Sequence, residues 1–125
     1  MRILIADDND YIRSLFTTIL QSHLPDVQVE AVENGAEAVD AFRNCNCDIV
    51  LMDIFMPVKD GYQASIEIRD LCRTQNLIMP YVIFCTSFSL SREVQILLED
   101  KEHYCLLKKP ATIDQIVDAV KAANV

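Results

Sequence analysis

Short apolar runs that end in charged residues restrict the fold of this chain more than any other feature. Three such runs, with the charged residues that close them, are residues 3–6 before Asp7 and Asp8, residues 49–52 before Asp53, and residues 104–107 before Lys108 and Lys109. Runs of this length are typical of strands buried on both faces of a parallel sheet. If the three strands are neighbours, their carboxylates and ammonium groups gather at the edge where open α/β sheets bind ligands.

Helical patterns separate the strand-like runs. A first helix is predicted by five apolar residues with helical spacing, which are Ile12, Leu15, Phe16, Ile19 and Leu20. Two further strands are predicted over residues 27–32 and 81–85, and further helices over residues 35–44, 62–75 and 91–99 and after Thr112. Strands that alternate with helices indicate one α/β domain over residues 1–125, with a parallel sheet covered by helices on both sides.

Charge and composition exclude several functional classes. The formal net charge is −8, which argues against direct nucleic-acid binding, because that needs a basic surface. No apolar stretch approaches the roughly 20 residues of a membrane helix, so we expect no membrane insertion. The chain enters a strand at its start, so no signal peptide is expected. Its odd number of cysteines, 5 in all, favours a reducing cytoplasm.

Carboxylates at neighbouring strand ends favour a divalent cation. Asp7, Asp8 and Asp53 would repel one another unless a cation were present. Mg²⁺ is commonly held by one or two carboxylates together with phosphate oxygens and water. The ordinary alternative is that these residues are unrelated loop acids or helix caps. Against this, Asp53 directly ends a buried strand, where an unpaired charge is costly.

An aspartate can also act as a nucleophile and form an acyl phosphate. The incoming phosphoryl charge must then be neutralised by a cation, a fixed ammonium and a hydroxyl or backbone donor. Asp53, Lys109 and Thr86 are candidates for the nucleophile, the ammonium and the hydroxyl. Taken singly, Thr86 could be a turn residue and Lys109 a solvated charge, but all three end buried strands.

Over its whole length the chain resembles the receiver domain of two-component response regulators, which operate in histidine–aspartate phosphorelays. The residues that carry the resemblance, in the family's order and spacing, are Asp7-Asp8, Asp53 within Leu-Met-Asp-Ile-Phe-Met-Pro, Asp60-Gly61, Thr86 and Lys109-Pro110. The resemblance implies a flavodoxin-like, doubly wound sheet of five parallel strands in the order 2-1-3-4-5. It also implies that Asp53 accepts a phosphoryl group from a phosphohistidine.

The resemblance further implies how the site is divided among its residues. The metal, Mg²⁺ or alternatively Mn²⁺, is expected on Asp8, Asp53 and the backbone carbonyl of Phe55, with Asp7 acting through water. Lys109 is expected to contact the phosphoryl group, and Thr86 to move towards it as the switch. The bond between Lys109 and Pro110 is expected to be cis.

The expected partners are proteins. A histidine kinase or a histidine phosphotransfer protein would dock on the first helix near Tyr11 and Ser14, and a downstream protein target would read the phosphorylated state. Such a domain catalyses its own phosphorylation and slow dephosphorylation but does not turn over an outside substrate. It is expected to be either a stand-alone regulator or one receiver of a larger protein such as a hybrid histidine kinase.

Two features depart from the family pattern. Leu106 occupies the position where the family usually has the aromatic switch residue, and Tyr104, which shares its face of the strand, is either a partial substitute or an ordinary strand-edge aromatic. Phe55 and Phe88 each lie two residues after a site residue. We predict that their rings shield an acyl phosphate and prolong its life, unless both are ordinary exposed aromatics.

Two other functions share part of this pattern. A phosphatase of the haloacid-dehalogenase type needs a second acid two residues after the nucleophile, where this chain has Phe55. A pseudo-receiver that binds partners without phosphorylation usually lacks the acceptor, the acidic pair or the lysine, all of which are present here. Mg²⁺ affinity would separate a working receiver from a pseudo-receiver.

Overall fold

The computed structural model describes residues 1–123, so the predicted domain of residues 1–125 extends two residues beyond the described part. The strands are β1 (Arg2–Ala6), β2 (Gln28–Val32), β3 (Ile49–Asp53), β4 (Tyr81–Thr86) and β5 (Tyr104–Lys108). The helices are α1 (Asp10–His23), α2 (Gly35–Asn44), α3 (Gly61–Gln75), α4 (Arg92–Leu97) and α5 (Ile113–Ala123). All strand pairs are parallel and the order is β2-β1-β3-β4-β5, which confirms the predicted fold and topology.

The sheet separates two apolar cores. On one face, α1 and α5 contribute residues such as Leu20 and Ile116. On the other face, α2, α3 and α4 contribute residues such as Phe42 and Ile68. Every residue of the central strand β3 is buried, whereas β2 lies at an edge and is largely exposed. The side chains of each inner strand alternate between the two cores, as the two-residue period of a strand requires.

Helix starts follow the expected capping chemistry. The side chains of Asn9, Asn34, Asp60 and Ser91 each accept a hydrogen bond from a backbone N–H of the first helical turn. These bonds satisfy donors that a helix cannot pair internally. Helix α4 ends at Leu97, earlier than the sequence pattern predicts. The residues that follow form successive turns instead of a continuing helix. Within residues 1–123, no helix has both the length and the apolar character needed to cross a bilayer.

Candidate functional site

Three side chains from three strand ends meet at the carboxyl edge of the sheet. Asp7 follows β1, Asp53 ends β3 and Lys109 follows β5, and their spacing along the strands directs all three towards the α1–α5 side. The Nζ atom of Lys109 donates to Oδ2 of Asp7 at 2.7 Å and to Oδ2 of Asp53 at 3.4 Å. The residues Asp7 and Asp53 are only 2% and 8% exposed. The structure therefore brings these three side chains together, with one partly buried ammonium between two carboxylates.

The carboxylate of Asp7 is held on both oxygens. Besides Lys109 on Oδ2, the backbone N–H of Asn9 donates to Oδ1 at 2.9 Å. The guanidinium of Arg13 also donates to the backbone carbonyl of Asp7 at 2.6 Å, which holds the turn between β1 and α1. The sequence does not indicate this role of Arg13, because a charged residue in the first turns of a helix is ordinarily solvated.

The electrostatics of the site leave a negative charge incompletely neutralised. Burial raises the pKa of Asp53, the charge of Lys109 lowers it, the charge of Asp7 raises it again, and the net direction is upward. Burial alone would lower the pKa of Lys109, but its contacts with Asp7 and Asp53 outweigh this and raise it. Lys109 is thus held in its charged form, while Asp53 ionises less readily than a solvated aspartate.

Asp8 completes an acidic group that suits a hard cation. It is exposed, and Asp7, Asp8 and Asp53 each offer a carboxylate oxygen within 4.8 Å of the other two. Oxygen ligands at this spacing are the kind that Mg²⁺ and Mn²⁺ prefer. Since Asp7 already has a partner on each oxygen, Asp8 and Asp53 are the freer pair. The chemistry of these residues fits a divalent ion.

Thr86 lies at the end of β4 and is 1% exposed. Its hydroxyl accepts a hydrogen bond from the backbone N–H of Phe88 at 3.2 Å, and its carbonyl accepts one from the backbone N–H of Lys109 at 2.9 Å. Thr86 therefore ties the end of β4 to the loop that carries the lysine. The bond between Lys109 and Pro110 is cis, as the resemblance implied.

The loop after Asp53 is packed closely by the two glycines of the chain. A Cβ atom on Gly61 would lie 2.1 Å from the backbone oxygen of Asp53, and one on Gly35 would lie 2.2 Å from the backbone oxygen of Lys59. Their amides donate to the carbonyls of Ile54 and Lys59 at 2.8 and 2.9 Å. Only glycine permits these approaches, so α2 and α3 both hold this loop in place.

Two aromatic rings meet beside the site. Phe55 and Phe88 are 51% and 63% exposed, and their ring centroids lie 4.9 Å apart with an angle of 74° between the ring planes. This is the edge-to-face arrangement that aromatic pairs favour. The pair joins the loops that follow β3 and β4, a contact that the sequence does not show because 33 positions separate the two residues in its numbering.

A groove of about 450 Å³ runs from the cluster along α1. Ile12, Leu15, Ser87 and Pro110 line it together with the acidic residues. Sequence reasoning missed Ile12 and Leu15 as surface groups, because their spacing indicated only the buried face of a helix. Leu15 is 36% exposed, which shows that this face continues beyond the core into the groove.

The residues expected to dock a partner lie elsewhere on α1. Tyr11 is 71% exposed, and Ser14 is also exposed and lines a separate hollow with Arg13 and Thr17. Neither of them lines the groove beside Asp53. Their role in docking stays a prediction.

The two candidate switch residues on β5, Leu106 and Tyr104, share one face of the strand but lie at different positions along it. Leu106 pairs with Phe84 and is half-buried, whereas Tyr104 pairs with Val82 near the start of the strand. Thr86 pairs with Lys108, four positions further on, or roughly 13 Å along the strand. Tyr104 is a buried core residue that stacks on Phe84 at 6.0 Å, and this position gives no support to a direct relay from Thr86.

Comparison with known proteins decides the family. Residues 3–121 match the sequence model of the family described as the response regulator receiver domain. The chain belongs to this family. It is 32% identical over 124 residues to the chemotaxis protein CheY of Halobacterium salinarum, and the alignment covers 97% of this chain and 98% of that protein. The receiver domain of the Francisella response regulator 1452 shares the fold with a TM-score of 0.76 and 26% identity, covering 98% of this chain and 94% of that one.

Receiver domains with similar sequences occur in proteins of different size. The chain is 36% identical over 116 residues to the sensor histidine kinase RcsC of Escherichia coli, an alignment that covers 93% of this chain but 11% of that kinase. Proteins similar to this receiver domain therefore include both a protein of about its own length and a much longer sensor kinase.

Proposed function

We propose that this receiver domain is a phosphoryl-accepting switch in which Asp53 is the acceptor. The observation that carries the proposal is the buried cluster in which Lys109 lies between Asp7 and Asp53 while Asp8 stands at its open side. A phosphoryl group brings negative charge, and this cluster combines a nucleophilic carboxylate with a fixed ammonium. A phosphatase of the haloacid-dehalogenase type is disfavoured because the aromatic ring of Phe55 replaces the second acid.

In the proposed reaction a carboxylate oxygen of Asp53 attacks the phosphorus of a phosphohistidine. The new O–P bond forms as the P–N bond breaks, and the bonding electron pair returns to the leaving imidazole. Lys109 stabilises the charge on the transferred group, and Asp7 holds Lys109 in position. Asp8, Asp53, the carbonyl of Phe55 and, through water, Asp7 would hold Mg²⁺ or Mn²⁺, which supplies positive charge that offsets the repulsion between acceptor and phosphoryl group.

Signalling follows from a change in the loop after β4. In the proposal, the hydroxyl of Thr86 leaves the Phe88 amide, to which it is bonded at 3.2 Å, and turns towards the phosphoryl group. Leu106 pairs with Phe84, two positions before Thr86 on β4, and Tyr104 is too far along β5 to act directly. A downstream protein target then recognises the changed surface. The domain has no turnover on an outside substrate.

The proposed partners are a histidine kinase or a histidine phosphotransfer protein, with no direct nucleic-acid contact and no membrane insertion. The net charge of −8 supports the exclusion of nucleic acid. We place the domain in the cytoplasm, and the free thiols of all its cysteines are consistent with a reducing compartment.

Intact-protein mass spectrometry after incubation with acetyl phosphate tests the acceptor. One added phosphoryl group is expected with Mg²⁺ and with Mn²⁺, and none after chelation of the metal. Asp53→Asn should abolish the adduct, while Asp40→Asn, an exposed change on α2, should leave it intact. An adduct that survives in Asp53→Asn would overturn the proposal, and absence of any adduct in the native chain would favour a pseudo-receiver.

Transfer from a phosphorylated histidine phosphotransfer protein tests the docking surface. Tyr11→Ala and Ser14→Ala should slow transfer from the protein donor but not from acetyl phosphate, because the small donor needs no docking surface. Leu15→Ala, in the groove beside Asp53, provides the comparison. If Leu15→Ala alone slows protein-donor transfer, the partner lies in the groove and the assignment of Tyr11 and Ser14 is wrong.

A further inference from the structure

A second cavity lies near the amino end of β5, away from the phosphorylation site. It has a volume of about 310 Å³ and lies between the end of α3 and the start of β5. Its walls include Arg69, Cys72, Arg73, Leu77, Met79 and Tyr104. One part of this lining is apolar and another consists of hydrogen-bond donors, a combination found in sites for small organic ligands.

Tyr104 supplies a buried donor to this cavity. The residue is 3% exposed, and its ring lies nearly parallel to that of Phe84, with 5° between the ring planes. Among residues 1–123, no group hydrogen-bonds to its hydroxyl. Burial raises the pKa of Tyr104 although the charge of Arg69 opposes the shift, so the hydroxyl keeps its proton. Buried hydroxyls are nearly always paired, and this one needs an acceptor.

Arg69 supplies a second donor of the same kind. Its Nε atom is buried and has no hydrogen-bond partner in the described part of the chain. The carboxylate oxygen of Asp70 lies 3.6 Å from it, which is too long for a hydrogen bond. An unpaired Tyr hydroxyl and an unpaired guanidinium nitrogen thus belong to the lining of one cavity.

Among the charged residues of the lining, Arg69 and Arg73 stand against Asp100, and Asp70, outside the lining, forms an ion pair with Arg69. Arg73 is exposed and, within residues 1–123, makes no ion pair with a carboxylate. Asp100, the acid of the lining, is already bonded to the ring of His103 at 2.9 Å. An acceptor with negative charge would therefore find the guanidinium of Arg73 without an ion-pair partner, beside a hydroxyl of Tyr104 and an Nε atom of Arg69 that lack hydrogen-bond partners.

We propose that this cavity binds a small organic carboxylate with an apolar body. The carboxylate accepts from the hydroxyl of Tyr104 and from the guanidinium groups of Arg69 and Arg73, and the body packs against Leu77 and Met79. A volume of about 310 Å³ corresponds to about ten water-sized units, which suits a ligand of the size of benzoate.

This site is distinct from the phosphorylation site. Tyr104 pairs with Val82, whereas Thr86 pairs with Lys108 at the other end of the same two strands. The two sites are separated by roughly 13 Å along the sheet. A ligand in the cavity contacts the α3 and β5 side of the α2–α3–α4 core and needs neither Asp53 nor a metal.

The test is a titration of the metal-free protein with benzoate, followed by the backbone amide shifts in NMR spectra. Saturable shifts are expected at Cys72, Leu77 and Tyr104, with a dissociation constant of about 1 mM for so small a ligand. Benzamide, which has nearly the same shape but no charge, should bind at least tenfold more weakly. Equal binding of benzamide, shifts confined to the Asp53 end, or no saturation would each overturn the proposal.

Variants identify the donors. Tyr104→Phe removes only the hydroxyl and should weaken benzoate binding about tenfold, and Arg73→Gln should weaken it about fivefold. Arg43→Gln, an exposed loss of the same charge on α2, should bind benzoate normally. The amide spectrum of each variant shows whether it is folded, and the exposed position of Arg73 keeps the test valid if Tyr104→Phe perturbs the core. Unchanged affinity in Arg73→Gln would refute the assigned carboxylate site.

Discussion

The two ends of the sheet carry opposite imbalances of charge. At the carboxyl end, Asp7, Asp8 and Asp53 outnumber the single ammonium of Lys109. At the amino end, the hydroxyl of Tyr104 and the Nε atom of Arg69 lack hydrogen-bond partners in the described part of the chain, and two arginines stand against one aspartate in the cavity lining. In a folded protein, groups left unpaired in this way are costly. Each imbalance therefore indicates the charge of the partner that would relieve it, a cation at one end and an anion at the other.

Of the changes that test this comparison, removal of the ammonium group of Lys109 should have the largest effect on stability. Lys109→Met leaves the buried carboxylates of Asp7 and Asp53 without their counter-charge, so the free energy of unfolding should fall by about 3 kcal/mol in the absence of Mg²⁺. Lys108→Met is the matched control, because Lys108 is exposed, and it should change stability little. Denaturant unfolding with and without Mg²⁺ measures both. Equal losses in the two variants would show that Lys109 is not the central charge of the site.

Addition of Mg²⁺ should stabilise the protein through the acidic residues at the carboxyl end of the sheet. At a concentration one hundred times its dissociation constant, Mg²⁺ should raise the free energy of unfolding by about 2.7 kcal/mol. Asp8→Asn should lose most of this gain, whereas Asp40→Asn should retain it. Thermal unfolding over a range of Mg²⁺ concentrations provides the measurement, and a full gain in Asp8→Asn would remove Asp8 from the proposed metal ligands.

Neutralising Asp53 should stabilise the metal-free protein, since its raised pKa shows that the ionised form is disfavoured in the fold. Asp53→Asn is expected to have a higher free energy of unfolding than the native chain at neutral pH. A group whose pKa rises on folding contributes stability below its unfolded pKa and loses that contribution as the pH rises through its folded pKa. The advantage of Asn should therefore shrink as the pH falls through the raised folded pKa of Asp53, and it should be lost below pH 3.8, the ordinary pKa of the side chain. Denaturant unfolding of both proteins at neutral pH and below pH 3.8 measures the difference. A gain in the free energy of unfolding that is constant between the two pH values, or reversed in sign, would contradict the prediction.

Opening the aromatic pair should have the smallest effect and concerns the lifetime of the acyl phosphate. Phe88→Ala removes the ring that contacts Phe55, so water should reach the acyl phosphate more readily and its loss should be about threefold faster. Ile78→Ala removes an apolar side chain that is 91% exposed in the loop between α3 and β4 and should leave the decay unchanged. Mass spectrometry after removal of excess acetyl phosphate follows the decay; identical rates in Phe88→Ala and the native chain would exclude shielding.

The fold and the charged cluster can be predicted from the sequence because both follow from local order. Each of Asp7, Asp53 and Lys109 follows an apolar run, and the topology of parallel strands brings such positions to one edge. The strand order needed the resemblance to the receiver family, since alternating strands and helices permit several arrangements. Helix caps are local in the same sense, because each acts within one helical turn.

Contacts between distant segments could not be read in this way. The ring contact of Phe55 with Phe88, the groove wall at Leu15 and the cavity around Tyr104 depend on the distance between loops and helices in space. Apolar spacing placed Leu15 on the inner face of α1, but it could not show where the core ends and the groove begins. The unpaired hydroxyl of Tyr104 likewise depends on what its neighbours fail to supply, which only the packed structure shows.

The close packing of Gly35 and Gly61 makes the Asp53 side of the phosphorylation site more rigid than the Thr86 side. On the Asp53 side, the backbones of Gly61 and Gly35 lie so close to the backbone of the loop that an added Cβ atom would come within 2.1 and 2.2 Å of a carbonyl oxygen. On the Thr86 side, the hydroxyl is held by a single amide at 3.2 Å, and this bond can be exchanged for another. A structural change that begins at Asp53 would therefore cause movement mainly on the Thr86 side. In the proposed switch, movement is thus directed to the Thr86 side, because Gly35 and Gly61 hold the Asp53 side in place.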